Sequence, residues 1–218
     1  MTIRTTLASK CGMFYHDTSM KPETEKRILE LVSNNGGYVR TEALLKAGVH
    51  SAHLASLVNS GSLVRLKRGL YALANGGDRS ELADVQRALP GCVFCLGTAL
   101  SIHGIGTWEP PEVQLAVLRD RRITLPEFPP IRLFSFSAAR FELGVEEHKT
   151  GVGTILVYDR EKTICDILRF RNAIGIDIAM EALREYLKGK PRNMQKLFDY
   201  ARRLRMEGTL RGYAEALL

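Results

Sequence analysis

From Gly61 to Leu73 the chain reads GSLVRLKRGLYAL, where large apolar side chains alternate with cations. Alternation at period two dictates a half-buried strand rather than a helix. It places Val64 and Leu66 on the covered face and Arg65 and Lys67 on the exposed one. Arg68-Gly69 then supplies a tight turn, with glycine accepting the positive φ that a short hairpin requires. The product is a two-stranded hairpin with a cationic rim. Charge on an edge strand also protects a sheet from unwanted pairing, so the use of this rim depends on what precedes it.

Three short helices precede it. KPETEKRILELVSNNGG opens with a proline and early acids and stops at Asn-Gly-Gly, with Ile28, Leu29, Leu31 and Val32 on one helical face. GYVR is a short extended piece. TEALLKAG reads as a second helix with Thr41 as N-cap and Gly48 just past its end. VHSAHLASLVNSG reads as a third, with Leu54, Leu57 and Val58 inward and His50, Ser51, His53 and Asn59 outward.

Helix, short strand, helix, tight turn, helix and two-stranded hairpin is the order of a winged helix-turn-helix. In that arrangement the second helix of the pair enters the major groove of DNA and the first crosses the backbone. Over residues 21–75 eight cations oppose four acids, and three of the cations sit on the hairpin. Each phosphate that such cations contact releases condensed counterions and adds affinity for any sequence. The candidate DNA contacts are Arg40, Thr41, His50, Ser51, His53, Asn59, Arg65, Lys67 and Arg68. The third helix carries no Arg or Lys, the side chains most used to read guanine. Its polar residues would reach base edges directly or through water.

Beyond this segment the composition is that of an ordinary soluble protein, with 45% apolar and 25% charged residues in a chain of 218. That length allows one large or two small domains. NGGDRS, residues 75–80, is the expected boundary. It leaves residues 1–20 as a flexible arm, 21–75 as the winged domain and 80–218 as a second domain. The second domain mixes helices (SELADVQRAL, CLGTALSIHGI) with strands (EVQLAVL, IRLFSFS, GVEEHK, TILVYD), and DREKTICDILRF and two or three basic helices close the chain. The fold class is α+β. A net charge of +7 favours a polyanionic partner. With no membrane-length apolar run and no signal-peptide pattern, the reading is a cytoplasmic protein without a membrane partner.

The chemistry-bearing residues are sparse. Four cysteines in a chain this long do not make a disulfide framework. Cys92 and Cys95 form a C-x-x-C without two further ligands at zinc spacing, and read as buried helical thiols. No metal site and no cofactor is expected. Asp159 and Glu161 open a helix, where acids favour the dipole, and His103 reads as a hydrogen-bonded structural residue. A metal-dependent nuclease is the rival: Glu147 and Lys149 lie two apart on a strand, with Asp120 after an earlier one. The Pro-Asp element of such enzymes is absent, and the chain is read as a non-enzyme.

Three elements together resemble the AbiEi family of antitoxins from abortive-infection toxin–antitoxin operons. They are the hairpin ending Arg68 to Tyr71, the Thr-Ala-Leu-x-x-His-Gly stretch from Thr98 to Gly104, and the Asp-x-Glu-x-Thr-x-x-Asp helix from Asp159 to Asp166. The resemblance implies a winged helix-turn-helix followed by a mixed α/β antitoxin domain with C-terminal helices. It further implies repression of the chain's own promoter through inverted repeats in double-stranded DNA. The second domain would counter a nucleotidyltransferase-like toxin, with or without a stable complex. The basic terminal helices, carrying Arg184, Lys188, Lys190, Arg192, Arg202, Arg203 and Arg205, are the expected antitoxin surface. A plain transcription factor without antitoxin activity is the remaining alternative.

Overall fold

The computed structural model describes residues 22–75 and 80–217. The expected arm over residues 1–20 and most of the expected boundary loop, residues 76–79, lie outside the described residues. The first elements are α1 (Pro22–Asn34), β1 (Tyr38–Arg40), α2 (Thr41–Lys46), α3 (Ser51–Asn59), β2 (Leu63–Lys67) and β3 (Leu70–Leu73). Their antiparallel sheet has the order β1-β3-β2. Ile28 and Val32 of α1, Leu44 of α2, and Leu54 and Leu57 of α3 bury their side chains against Val39 and Leu63.

Two local expectations need correction here. Thr41 is not the N-cap of α2. Arg40 holds that place with extended backbone, because it still belongs to β1 and pairs with Leu70. Thr41 is the first helical residue, and its N–H donates to the Gly69 carbonyl at 3.0 Å. Nor does Val64 face the core. Register shifts between Arg65 and Lys67, and this bulge adds one residue that resets the alternation. Leu63 and Leu66 are therefore both buried, while Val64 is exposed.

α4 (Glu81–Ala88) leads into a five-stranded sheet of order β6-β5-β4-β8-β7. Its elements are β4 (Val93–Phe94), α5 (Leu96–His103), β5 (Val113–Leu118), β6 (Ile131–Phe136), α6 (Ala138–Phe141), β7 (Val145–Thr150) and β8 (Gly153–Tyr158). The helices α7 (Arg160–Arg169), α8 (Arg171–Ile174), α9 (Ile176–Lys188), α10 (Met194–Arg203) and α11 (Glu207–Glu215) follow. β4–β8 and β5–β6 are parallel pairs, and β4–β5 and β7–β8 antiparallel ones. The Cys-x-x-C is a correction as well. Cys92 and Cys95 are buried free thiols that flank β4 rather than lie in a helix, because Val93 and Phe94 are drawn into the centre of the sheet.

Period-two alternation gives this sheet two apolar faces. Ala116, Phe134, Phe136 and Tyr158 pack on α5, α7, α9, α10 and α11. Val113, Leu115, Val117, Ile155 and Val157 pack on α4, and the same cluster takes in Tyr38, Leu66, Leu70 and Ala72 of the small sheet. α4 thus lies between the two sheets. The buried Gln86 fixes it to the larger one, accepting from the Leu156 N–H at 2.7 Å while its amide donates to the Leu89 and Cys92 carbonyls. On the other side Tyr38 donates to Asp84, and the Arg87 guanidinium lies 3.9 Å over the Tyr38 ring.

Candidate nucleic-acid interface

The exposed side of α3 comprises Ser51, Ala52, Ala55 and Asn59, a small polar surface at helical spacing without charge. His50 precedes the helix and is exposed. His53 departs from the expected outward position. It is half-buried, its Nδ1 has no hydrogen-bond partner, and its ring meets His50 edge-on with centroids 6.0 Å apart. One turn of α3 carries His53 between the solvent face and the row of Leu54 and Leu57, so it is only partly available to a ligand.

Arg40, Arg65 and Arg68 are exposed, and Thr41 at the start of α2 is half-buried. The Thr41–Gly69 bond and the Arg40–Leu70 pairing bring the α2 start and the hairpin turn to one end of the small sheet. Lys67 turns away from that set. Its Nζ donates to the Ala88 carbonyl at the end of α4, and it lines a cleft with Arg121 and Arg122. Arg40 lines a cleft with Tyr38, Leu70 and Arg87 on the α4 side of the small sheet, and Lys67 attaches the hairpin to α4.

The expected antitoxin surface is divided. Arg184 and Lys188 on α9, and Lys190 and Arg192 just beyond it, are exposed near the start of α10. Arg202, Arg203 and Arg205 are exposed at its far end, about 15 Å away along ten helical residues. Arg202 is paired with Asp199 and Glu207, and Arg192 donates to the Leu187 carbonyl. Glu147 and Lys149 lie on the edge strand β7, three strands from β5 and hence about 14 Å across the sheet. Asp120 follows β5 and does not join them. Among the described residues no group of three His, Cys, Asp or Glu side chains is placed to hold a metal ion.

The two motifs of the larger sheet prove to be parts of one hydrogen-bonded frame. Asp159 caps α7 by accepting from the Lys162 N–H, and also accepts from the Tyr200 hydroxyl at 2.9 Å and the Lys196 ammonium at 3.0 Å. Glu161 accepts from the Tyr186 hydroxyl at 2.7 Å. Lys162 and Asp166 form a fully buried ion pair one turn apart, the ammonium lying 4.0 Å over the Tyr158 ring. Thr163 donates to the Tyr158 carbonyl, which His103 Nε2 also meets at 2.7 Å, and Arg160 donates to the His103 carbonyl. From the other motif Thr98 accepts from the Gln114 N–H. These side chains are spent on the frame.

Three helices, with a small antiparallel sheet closing over the last two, define the winged helix-turn-helix class. Residues 26–74 match the family model described as "Transcriptional regulator, AbiEi antitoxin", so the winged segment is similar to that of AbiEi-type regulators. The crystal structure of the RV2827C protein from Mycobacterium tuberculosis is similar in fold, with a TM-score of 0.61 at 13% identity over 89% of this chain and 78% of that one. No curated protein matches the chain. Among the described residues no helix is long and apolar enough to cross a membrane.

Proposed function

We propose that this chain is an antitoxin that also represses its own promoter. Residues 21–75 bind inverted repeats in double-stranded DNA, and residues 80–218 neutralise a nucleotidyltransferase-like toxin. One observation carries the reading: the AbiEi regulator match falls on the stretch that holds α3, with its exposed Ser51 and Asn59, and the exposed Arg40, Arg65 and Arg68. Arginines there supply phosphate contacts of any sequence, while Ser51 and Asn59 are placed to touch base edges. The motif residues of the larger sheet are engaged with one another, which favours a binding role for that part over catalysis.

The test has two arms. Footprinting of the DNA upstream of the gene should show two protected half-sites that disappear when Arg65 and Arg68 are both replaced by Ala. Co-expression with the neighbouring gene should rescue growth, and the same double variant should still rescue. Protection without rescue would reduce the protein to a plain transcription factor. Rescue lost together with DNA binding would end the proposed division of labour.

A further inference from the structure

At one end of the larger sheet four arginines from distant parts of the chain converge. Arg119 directly follows β5, and its N–H donates to the Phe136 carbonyl at the end of β6 at 2.8 Å. Arg140 sits in α6, which starts two residues past that strand. Arg169 is the last residue of α7, and Arg205 lies in the turn after α10. α7 ends at this side of the sheet, because Phe170, next to Arg169, packs edge-on against Phe134 and Phe136 of β6. Arg169 therefore emerges beside the end of β6, and the charge of Arg205 reaches Arg140 from the turn after α10.

Arg119, Arg169 and Arg205 are exposed and Arg140 is half-buried. Burial, and then the charges of Arg169, Arg119 and Arg205, hold the Arg140 guanidinium below its ordinary pKa. The carboxylate whose charge Arg140 feels is Asp166, which is fully buried and held by Lys162. Among the described residues none of the four arginines forms an ion pair with a carboxylate. Like charges gathered in this way repel one another until an anion joins them. The planar guanidinium fork matches the paired oxygens of phosphate, where it bonds through two parallel N–H groups.

We propose that Arg119, Arg140, Arg169 and Arg205 form a phosphate-binding site on the larger sheet, separate from the winged face. Its ligand chemistry is the phosphate oxyanion, carried either by a nucleoside polyphosphate or by a nucleic-acid backbone. The site does not rest on the winged reading, since none of its residues belongs to the small sheet or to α1–α3. An anion seated there neutralises the repulsion on Arg140 and couples the ends of α7 and α10 to the loop after β5.

Thermal melting of the full chain in sodium triphosphate, at constant ionic strength, tests the site. The unaltered chain should melt higher with a saturating dependence on triphosphate. Arg140→Gln with Arg169→Gln should lose that response, whereas Arg65→Ala with Arg68→Ala should keep it. Should the first pair fail to fold, Arg119→Gln with Arg205→Gln alters only exposed positions and must lose the response too. A response that is absent, or equal in all variants, overturns the proposal. Competition then separates the sources. Displacement of triphosphate by ATP at about tenfold lower concentration than by a single-stranded oligonucleotide assigns a nucleoside polyphosphate, and the reverse assigns a backbone. Displacement by neither refutes a phosphate site.

Discussion

The Tyr38 hydroxyl donates to the buried Asp84 carboxylate, joining the first strand of the small sheet to the helix that enters the larger one. Hydrogen bonds to charged groups are the stronger kind, and a buried carboxylate that loses a donor keeps its desolvation cost. Tyr38→Phe should therefore lower stability by about 1.5–3 kcal/mol. Urea unfolding checks this, and an unchanged midpoint would show that the bond contributes nothing.

The hairpin cations should separate into two kinds. Arg65→Ala or Arg68→Ala should weaken binding to every duplex and flatten the dependence of log K on log salt by about 0.9 per phosphate lost. Lys67→Ala should leave that slope unchanged and lower the melting temperature, since its ammonium holds the Ala88 carbonyl. Fluorescence anisotropy at several salt concentrations, beside a melting curve, distinguishes the two.

Alkaline pH should loosen the packing of α7 against α10. Burial, and then the charge of Asp166, push the Cys165 thiol from 9.0 up to about 12. Burial and Asp159 likewise raise Tyr200 from 10.0 to about 12. Between its unfolded and folded pKa each group holds more protons in the native state, so stability falls as pH climbs through that interval. Melting temperature should drop steadily from about pH 9 toward pH 12, and Cys165→Ala should flatten the early part of the drop. A flat profile in the unaltered chain would contradict the burial of Cys165.

Gly97 is required for space. A Cβ there would lie 2.2 Å from Cζ3 of Trp108, and Gly97 N–H donates to the buried Gln114 side chain. Gly97→Ala must displace the indole and should destabilise by about 1–3 kcal/mol. Trp108 is the single tryptophan of the chain, so a shift in its emission maximum should accompany the loss. Normal stability with unshifted emission would mean the ring moves freely.

The helices and the hairpin were legible because their apolar spacing survives folding: Ile28 and Val32, Leu54 and Leu57, Ile164 and Ile167 all face inward as their periods require. The bulge in β2 was not, since its cause lies in pairing with β3 rather than in the residues of β2 themselves. The C-x-x-C misled because a two-residue strand has too few positions to show any period. Winged candidates such as Arg40 and Arg68 stand close in sequence to what positions them, whereas Arg119, Arg140, Arg169 and Arg205 come from four elements far apart in the chain. No local pattern carries that. Lys67 looked like its neighbours on the rim, and only the third dimension reveals the carbonyl it serves.

α4 is held on both sides at once. Gln86 grips the larger sheet, Asp84 and Arg87 grip Tyr38, and the Ala88 carbonyl holds Lys67. Arg87 also donates to the Val152 carbonyl in the turn between β7 and β8. The hairpin is accordingly tied to the body behind it, so a change in that body would tilt α3 against a duplex. Anything that grips the β7–β8 turn leans, through one guanidinium, on the strand beside the reading head.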